Sequence, residues 1–275
     1  MRYGWISFTT DYGLDDPFVG VCHGVIARIA PEARIIDITH TVPAGDIRRG
    51  AHALAQAVAY LPPAVHLAVV DPGVGSARRG VLIAARDGML VGPDNGLLPL
   101  AADALGGVEQ AFELTNSAYR LPKVSATFHG RDVFAPAAAH LARGVSPAEL
   151  GPSLRPHELD RLPSPAPTVR EGALITEVLS VDRFGNIQLA ASSGILVDAG
   201  FSDGEPVTVR IGPSRHTGMV GRTFADGDDG QLVVLGDSAG LIALAVNGAS
   251  AAARLGLAPG HTAQECTITA SPTAT

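Results

Sequence analysis

The sequence predicts an α/β protein, with a mostly parallel N-terminal sheet flanked by helices and a smaller C-terminal domain like a β-barrel. Three observations predict it. In the first half, short apolar β-type runs alternate with longer stretches of helical spacing, the pattern of strands joined by crossover helices. After a proline-rich break the pattern changes to short strands separated by turns, which fits a small β-rich barrel or sandwich. A length of 275 residues accommodates about two domains. The expected division is an N-terminal α/β domain over 1–155, a linker over 156–170 and a β-rich domain over 171–275.

Ile6 to Thr9 reads as the first strand. Pro17 suits the first turn of a helix in which Phe18, Val21, Val25 and Ile29 recur at helical spacing up to Pro31, and Asp16 suits its cap. Arg34 to Ile38 is the second strand. Asp46 is the expected N-cap of a helix through Tyr60, which Pro62 and Pro63 end, and Val65 to Val70 form a third strand running into Asp71. Val81 to Ala84 and Met89 to Val91 flank Asp87-Gly88 as a hairpin, and residues 92–96 follow as a loop. Thr127 to Asp132 precedes an apolar helix, which Asp132 suits as a cap. Residues 151–172 are proline-rich without a sustained apolar period, which marks the linker. Beyond it, Ala173 to Val181, Val207 to Ile211 and Gln231 to Leu235 read as strands, and helical signal returns near Ala249 to Leu255. The tail from Ser271 to Thr275 is expected to fray. No internal repeat is present.

Twenty basic against 27 acidic side chains leave a net charge of −7, so the chain carries no broad footprint for nucleic acid or an anionic membrane. Cys22 and Cys266 lie far apart and suggest neither a zinc pattern nor a disulfide framework, which points to a reducing compartment. The N-terminus lacks the layout of a signal peptide, and no uninterrupted apolar run reaches the roughly 18 residues of a spanning helix. A soluble, cytoplasmic protein is expected.

Asp11 and Asp71 both follow strands, and in open α/β sheets ligands gather at the carboxyl ends of strands. The segment Asp71-Pro-Gly-Val-Gly75-Ser-Ala-Arg78-Arg79 joins an acid, a glycine loop open to close backbone approach, and two arginines. It matches neither a Walker loop nor the dinucleotide fingerprint, and its plainer reading is a strand-ending turn with a solvated arginine pair. Asp11 lies too early to cap the following helix. It either holds a turn or accepts two hydrogen bonds from a cis-diol such as ribose. His129 is a candidate base or a structural histidine. Asp11, Asp71 and His129 could together hold a metal, but no compact pair such as HxH or HExxH accompanies them, so metal is the weaker reading. Further on, Ser180-Val-Asp182-Arg-Phe184-Gly-Asn186 is either a tight β-turn or a nucleobase site, in which Asn186 reads an adenine edge and Phe184 or Phe224 stacks.

Taken together, TTDYG-LDDPFVG at 9–20, DITHTVP at 37–43, VVDPGVGSARR at 69–79, GPDNGLL at 92–98, TFHGRDVFAP at 127–136, VDRFGN at 181–186 and the 238–247 segment resemble one family. It is the S-adenosylmethionine (SAM) hydroxide adenosyltransferases, or SAM hydrolases, relatives of the fluorinase and chlorinase enzymes. The motifs fall in family order across nearly the whole chain. The resemblance implies cleavage of S-adenosyl-L-methionine by water at C5′, giving adenosine and L-methionine, with no metal or redox cofactor. It implies catalytic roles for Asp71, Arg78 and His129, ribose binding by Asp11, adenine recognition by Asn186 with Phe184 and Phe224 near the base, and methionine binding by Asp182 and Ser238. It further implies a homotrimer, with each site between the N-terminal domain of one subunit and the C-terminal domain of its neighbour.

The same resemblance argues against halogenation. Halide-using relatives place neutral hydroxyl-bearing side chains at the position of Asp71, and a carboxylate beside a bare halide adds like-charge repulsion. The fluorinase has a serine at the position of Gly130, whereas the chlorinase shares the glycine, so Asp71 with His129 discriminates and Gly130 alone does not. The fluorinase's extra loop after the third strand is absent between Gly80 and Asp94, and Gly45 stands where the fluorinase has an adenosine-packing tryptophan. The alternatives are a SAM- or adenosine-binding sensor without turnover, a SAM-dependent halogenase, and a metal-dependent phosphoesterase.

Overall fold

Burial on both faces decides which strands sit at the centre of the first sheet. In the computed structural model, which describes residues 3–164, 166–170, 172–257 and 263–271, β1 (Trp5–Thr10) is buried from Ile6 onward. The chain divides into two units, 1–162 and 163–275. The first continues from β1 through α1 (Phe18–Ile29), β2 (Arg34–Thr39), α2 (Ile47–Val58), β3 (Val65–Val69), β4 (Gly80–Ala85) and β5 (Gly88–Pro93), and then α3 (Pro99–Ala104), β6 (Val108–Glu113), α4 (Ala135–Ala142) and β7 (Ser153–Leu154). β3 is buried throughout, as expected of a parallel strand covered by helices on both faces.

The sheet order is β2-β1-β3-β5-β4-β6-β7. β1 pairs in parallel with β2 and β3, and β3 with β5. The Asp87-Gly88 hairpin then reverses direction, so β4, β6 and β7 add in antiparallel fashion and the sheet is mixed. On one face Val19, Cys22 and Ile26 of α1 and Ala138 and Leu141 of α4 close over Ile6, Phe8 and Leu67. On the other, Ala51 and Leu54 of α2 and Ala101 of α3 close over Ala68, Ile83 and Leu90.

Two expected caps differ. Asp46 caps α2 as expected, accepting the Arg49 N–H at 2.9 Å. α1 instead begins after Pro17 with no side-chain cap bond, because the fixed φ of proline starts the helix without help from Asp16. Asp132 sits inside a π-helical turn, Gly130–Phe134, that runs into α4. Its buried carboxylate accepts the Ser125 N–H at 2.7 Å and pairs with Arg131, so it braces the preceding loop and caps no helix.

The second unit comprises β8 (Thr168–Arg170), β9 (Ala173–Val181), β10 (Ile187–Ser192), α5 (Ile195–Asp198), β11 (Pro206–Ile211), β12 (Ser214–Val220), β13 (Leu232–Gly236), β14 (Leu241–Val246), α6 (Ala251–Leu255) and β15 (Glu265–Ala270). β10-β14-β13-β12-β11-β15-β9 pair in sequence, and β9 pairs back with β10, closing a seven-stranded barrel with β8 added outside. Its interior holds Leu174, Val178, Leu189, Val209, Val234, Leu244 and Ile268. β12 and β13 run parallel, which requires a crossover; residues 221–231 supply it and carry Phe224. The tail beyond Ser271 lies outside the described residues. Cys22 and Cys266 are buried and free. Among the described residues no helix is long and apolar enough to cross a membrane.

Candidate active site

Parallel pairing of β1 with β3 sets Thr10 opposite Val69, so Asp11 and Asp71 leave neighbouring strands at the same edge of the sheet. Asp71 is nearly sealed, its side chain 5% exposed, and Arg78 meets it side-on. Arg78 Nε donates to Asp71 Oδ1 at 2.9 Å, and Nη2 donates to Oδ2, the two-pronged geometry that suits guanidinium to carboxylate. The same Nη2 lies 2.9 Å from His129 Nδ1. A guanidinium has only donors, so His129 Nδ1 must accept and the imidazole is neutral with its proton on Nε2. Burial first, and then the Arg78 cation, hold His129 below the ordinary imidazole value, with Asp71 opposing. Phe134 supports the cluster, its ring 5.1 Å below the Arg78 guanidinium and edge-on to His129.

The loop closes on this cluster through Gly75. Its φ is +80°, and a Cβ there would overlap the Ala126 carbonyl oxygen, so only glycine lets the 71–79 loop lie against the strand of chain leading to His129. The two arginines are not a solvated pair. Arg78 turns into the cluster, whereas Arg79 donates to Asp94 Oδ2 at 2.9 Å through Nε and to the Glu158 carbonyl.

Asp11 Oδ2 accepts the Gly45 N–H at 2.8 Å, which orients the carboxylate beside the loop at Pro72. Tyr12, next in sequence, is the residue to which sequence reasoning assigned nothing. Its ring stacks edge-on with Phe18 and Phe128, and its hydroxyl lies directly over the Cα of Gly130. Burial pushes its phenol far above the ordinary value, with Asp11 and Asp71 adding to the rise, so it stays protonated and available as a donor. The motif contained the residue, but the contact that places its hydroxyl spans more than a hundred positions of sequence.

In the second unit, Asp182 organises the turn between β9 and β10. Its Oδ1 accepts from the Phe184 and Asn186 backbone N–H groups at 2.9 and 2.8 Å, and its Oδ2 accepts from Asn186 Nδ2 at 2.8 Å. That last bond fixes the Asn186 amide plane. Phe184 is 79% exposed beside it. Ser238 stands in the turn from β13 to β14, and the neighbouring Asp237 accepts from Gln188, two residues past Asn186, at 2.6 Å. Phe224 is 52% exposed on the crossover. The structure thus joins Asp71, Arg78 and His129 directly, sets Asp11 beside them, and gathers Asp182, Phe184 and Asn186 in one turn of the other unit.

Residues 6–151 match the family model of the SAM hydroxide adenosyltransferase N-terminal domain, and residues 176–264 match that of the C-terminal domain. The chain is 56% identical to the (R)-S-adenosyl-L-methionine hydrolase of Salinispora tropica over 93% of this chain and 95% of that one. A fluorinase of Actinoplanes sp. is more distant, at 29% identity over 94% of this chain and 95% of its own. The crystal structure of an uncharacterized conserved protein from Thermotoga maritima superposes with a TM-score of 0.89 at 37% identity, covering 96% of this chain and 99% of that one. Both structural units therefore carry the family's signature, in its order and over nearly its full length, and the chain belongs to the SAM hydroxide adenosyltransferase family.

Proposed function

We propose that the protein hydrolyses S-adenosyl-L-methionine to adenosine and L-methionine by attack of water at C5′. The observation that carries this reading is the Asp71–Arg78–His129 cluster, with Asp11 beside it at the strand ends. The sulfonium leaves as a neutral thioether, so no acid is needed for the leaving group. Catalysis reduces to supplying and aiming one oxygen. In this reading Arg78 fixes both partners, Asp71 offers its remaining lone pairs to a water proton, and His129 presents Nε2–H to orient the water oxygen. The O–C5′ bond forms as the C5′–S bond breaks, the electron pair goes to sulfur, and the proton passes by way of the carboxylate to solvent. Positioning contributes up to roughly 7–11 kcal/mol and base assistance typically 10²–10⁴-fold, so aiming is the larger part.

Asp11 binds the ribose diol, Asn186 reads the adenine edge with Phe184 and Phe224 against the base, and Asp182 and Ser238 hold the methionine ammonium and carboxylate. The exposure of Phe184 and Phe224 supports these roles, since neither ring is used in the core of its own unit. The protein works as a homotrimer in the cytoplasm, each site shared between subunits. The name of the S. tropica relative specifies the R configuration at sulfur.

The test supplies both sulfonium epimers of SAM in ¹⁸O-enriched water, with and without chelator and chloride, and follows products by chromatography and mass spectrometry. Adenosine labelled at the 5′ oxygen, unaffected by chelator, is the expected result. SAM binding without adenosine formation would overturn the hydrolase reading and leave a binding module; 5′-chloroadenosine would make it a halogenase.

A further inference from the structure

Behind the Asp11 loop lies a second cluster that the hydrolysis does not use. His23 on α1, Asp37 in β2 and His40 just after β2 converge on one point. His23 Nε2 is 2.9 Å and His40 Nε2 3.0 Å from the same oxygen, Asp37 Oδ1, and one ligand atom from each residue lies within 4.8 Å of the others. We propose that these three side chains form a binding site for a divalent cation of the zinc class.

Three features argue for a cation. First, the ring of His40 is 4% exposed, yet its Nε2 makes no hydrogen bond of acceptable alignment although it faces Asp37 at contact distance. When Nδ1 carries the ring proton, Nε2 turns a bare lone pair onto a carboxylate oxygen, and a cation between the two makes that contact attractive. Second, His40 Nδ1 is bonded to Thr10 Oγ1 at 2.9 Å, the outer hydrogen bond that fixes tautomer and ring plane in metal-binding histidines. Phe8 holds both rings, with centroids 5.8 Å from His23 and 4.9 Å from His40. Third, the spacing fits. Zinc bonds of about 2.0–2.1 Å in a tetrahedron place ligand atoms roughly 3.3 Å apart, so the two short edges need only tenths of an ångström and the third, at most 4.8 Å, lies within reach of the same geometry. His23 and Asp37, at 33% and 42% exposure, leave the fourth position open to water. Two imidazoles and a carboxylate suit zinc or cobalt better than magnesium or calcium.

The site ties α1 to the end of β2 and stands against the support of the substrate loop. Thr10 Oγ1 also accepts the Tyr12 N–H at 3.2 Å, and the His40 carbonyl accepts the Gly13 N–H at 2.7 Å. Loading therefore stiffens residues 10–13 from behind and supplies no nucleophile. The proposal does not depend on the hydrolase reading, because its readouts are binding and stability.

The experiment strips the purified chain with chelator and titrates it with Co²⁺. One equivalent should develop the intense visible absorption of four-coordinate cobalt, bleached by one equivalent of Zn²⁺. At Zn²⁺ a hundredfold above its Kd the melting temperature should rise by roughly 5–10 °C. His23→Ala, at a half-exposed helix position, and Asp37→Asn, which keeps the side-chain shape, should each abolish both responses. Absence of tight Co²⁺ binding by the wild-type chain, or a cobalt spectrum and a zinc-induced rise that survive in both variants, would overturn the proposal.

Discussion

Replacing Gly130 by alanine tests the geometry of the candidate active site most directly. The added Cβ would overlap the Tyr12 hydroxyl and come within 3.1 Å of Cζ and 3.5 Å of Cε2. The phenol cannot retreat freely, because its ring is held by Phe128 at 5.6 Å and Phe18 at 6.1 Å, which also contact each other at 5.4 Å. Relief requires either expelling Tyr12 from that trio or shifting the His129–Gly130 backbone by on the order of 1 Å. Overpacking of this kind costs about 1–3 kcal/mol of stability. A shift of about 1 Å at His129 breaks its 2.9 Å contact with Arg78, and misplacement of that size can cost on the order of 100-fold in rate. The assay is adenosine release under saturating SAM, with thermal melting alongside. Gly130→Ala should lower both kcat and Tm. The double variant Gly130→Ala/Tyr12→Phe removes the overlapping hydroxyl, leaves 3.1 Å as the closest approach, and should recover most of the stability. A Gly130→Ala protein with unchanged kcat and Tm, or a double variant no more stable than the single one, would refute the reasoning.

The remaining predictions concern charge. Because burial and Arg78 depress His129, the acid limb of kcat should fall below pH 6.5, and histidine NMR of Arg78→Met should show the His129 midpoint moving up, since the larger of the two opposing cations is then gone while burial still holds it down. Asp71→Asn leaves the Arg78 guanidinium without its counter-charge; it should lower kcat by about 10²–10⁴-fold and destabilise the fold by a few kcal/mol, read by urea unfolding. His66, fully buried and bonded to Ser7 Oγ at 2.8 Å, has its pKa lowered by burial to about 4. The folded state resists a proton that the unfolded chain takes up near 6.5, so stability is present above that pH and is lost as pH falls toward 4. Between pH 7 and 5 the loss from His66 alone should be about 2 kcal/mol, His52 adding to it in the same direction, and His66→Asn should remove only the His66 share.

Strand-end chemistry was legible in the sequence because a buried parallel strand is an apolar run whose end is marked by the first polar residue. By that rule Asp11 and Asp71 stand at one edge of the sheet, as the β1–β3 register shows. The barrel was harder to read. β10 alternates in the fold, with Ile187, Leu189 and Ala191 buried, but Leu189, Ala190 and Ala191 are consecutive apolar residues and hide that period in the sequence, and β12 carries Arg215, His216 and Thr217 on a strand closed into the barrel. Tyr12 and the His23–Asp37–His40 cluster were illegible for another reason. Each depends on contacts between separate elements, and the only local trace of the second is the Asp37-x-x-His40 spacing. Asp16 and Asp132 misled because a polar residue before a helix satisfies the capping pattern whether or not proline or a loop amide already serves.

The consecutive arginines show how one short segment can both form the site and hold it in place. Arg78 and Arg79 lie side by side just before β4, yet their side chains take different partners, Asp71 and Asp94. Arg78 enters the cluster with Asp71 and His129 while Arg79 turns to Asp94. There it meets Asp94, whose other oxygen accepts the Asp160 N–H at 3.0 Å, and the Glu158 carbonyl, so the far side of the segment is locked to the proline-rich stretch that ends the first unit. On the near side the glycine contact at Ala126 sets the depth of the loop. Held at both ends, Arg78 has little freedom to follow a moving partner, and in the proposed mechanism a guanidinium that cannot follow would keep Asp71 and His129 aimed at a single water. The prediction in this is asymmetric. Disturbing Arg79, which touches none of the reacting groups, should loosen Arg78 and lower kcat while leaving the affinity for SAM nearly intact.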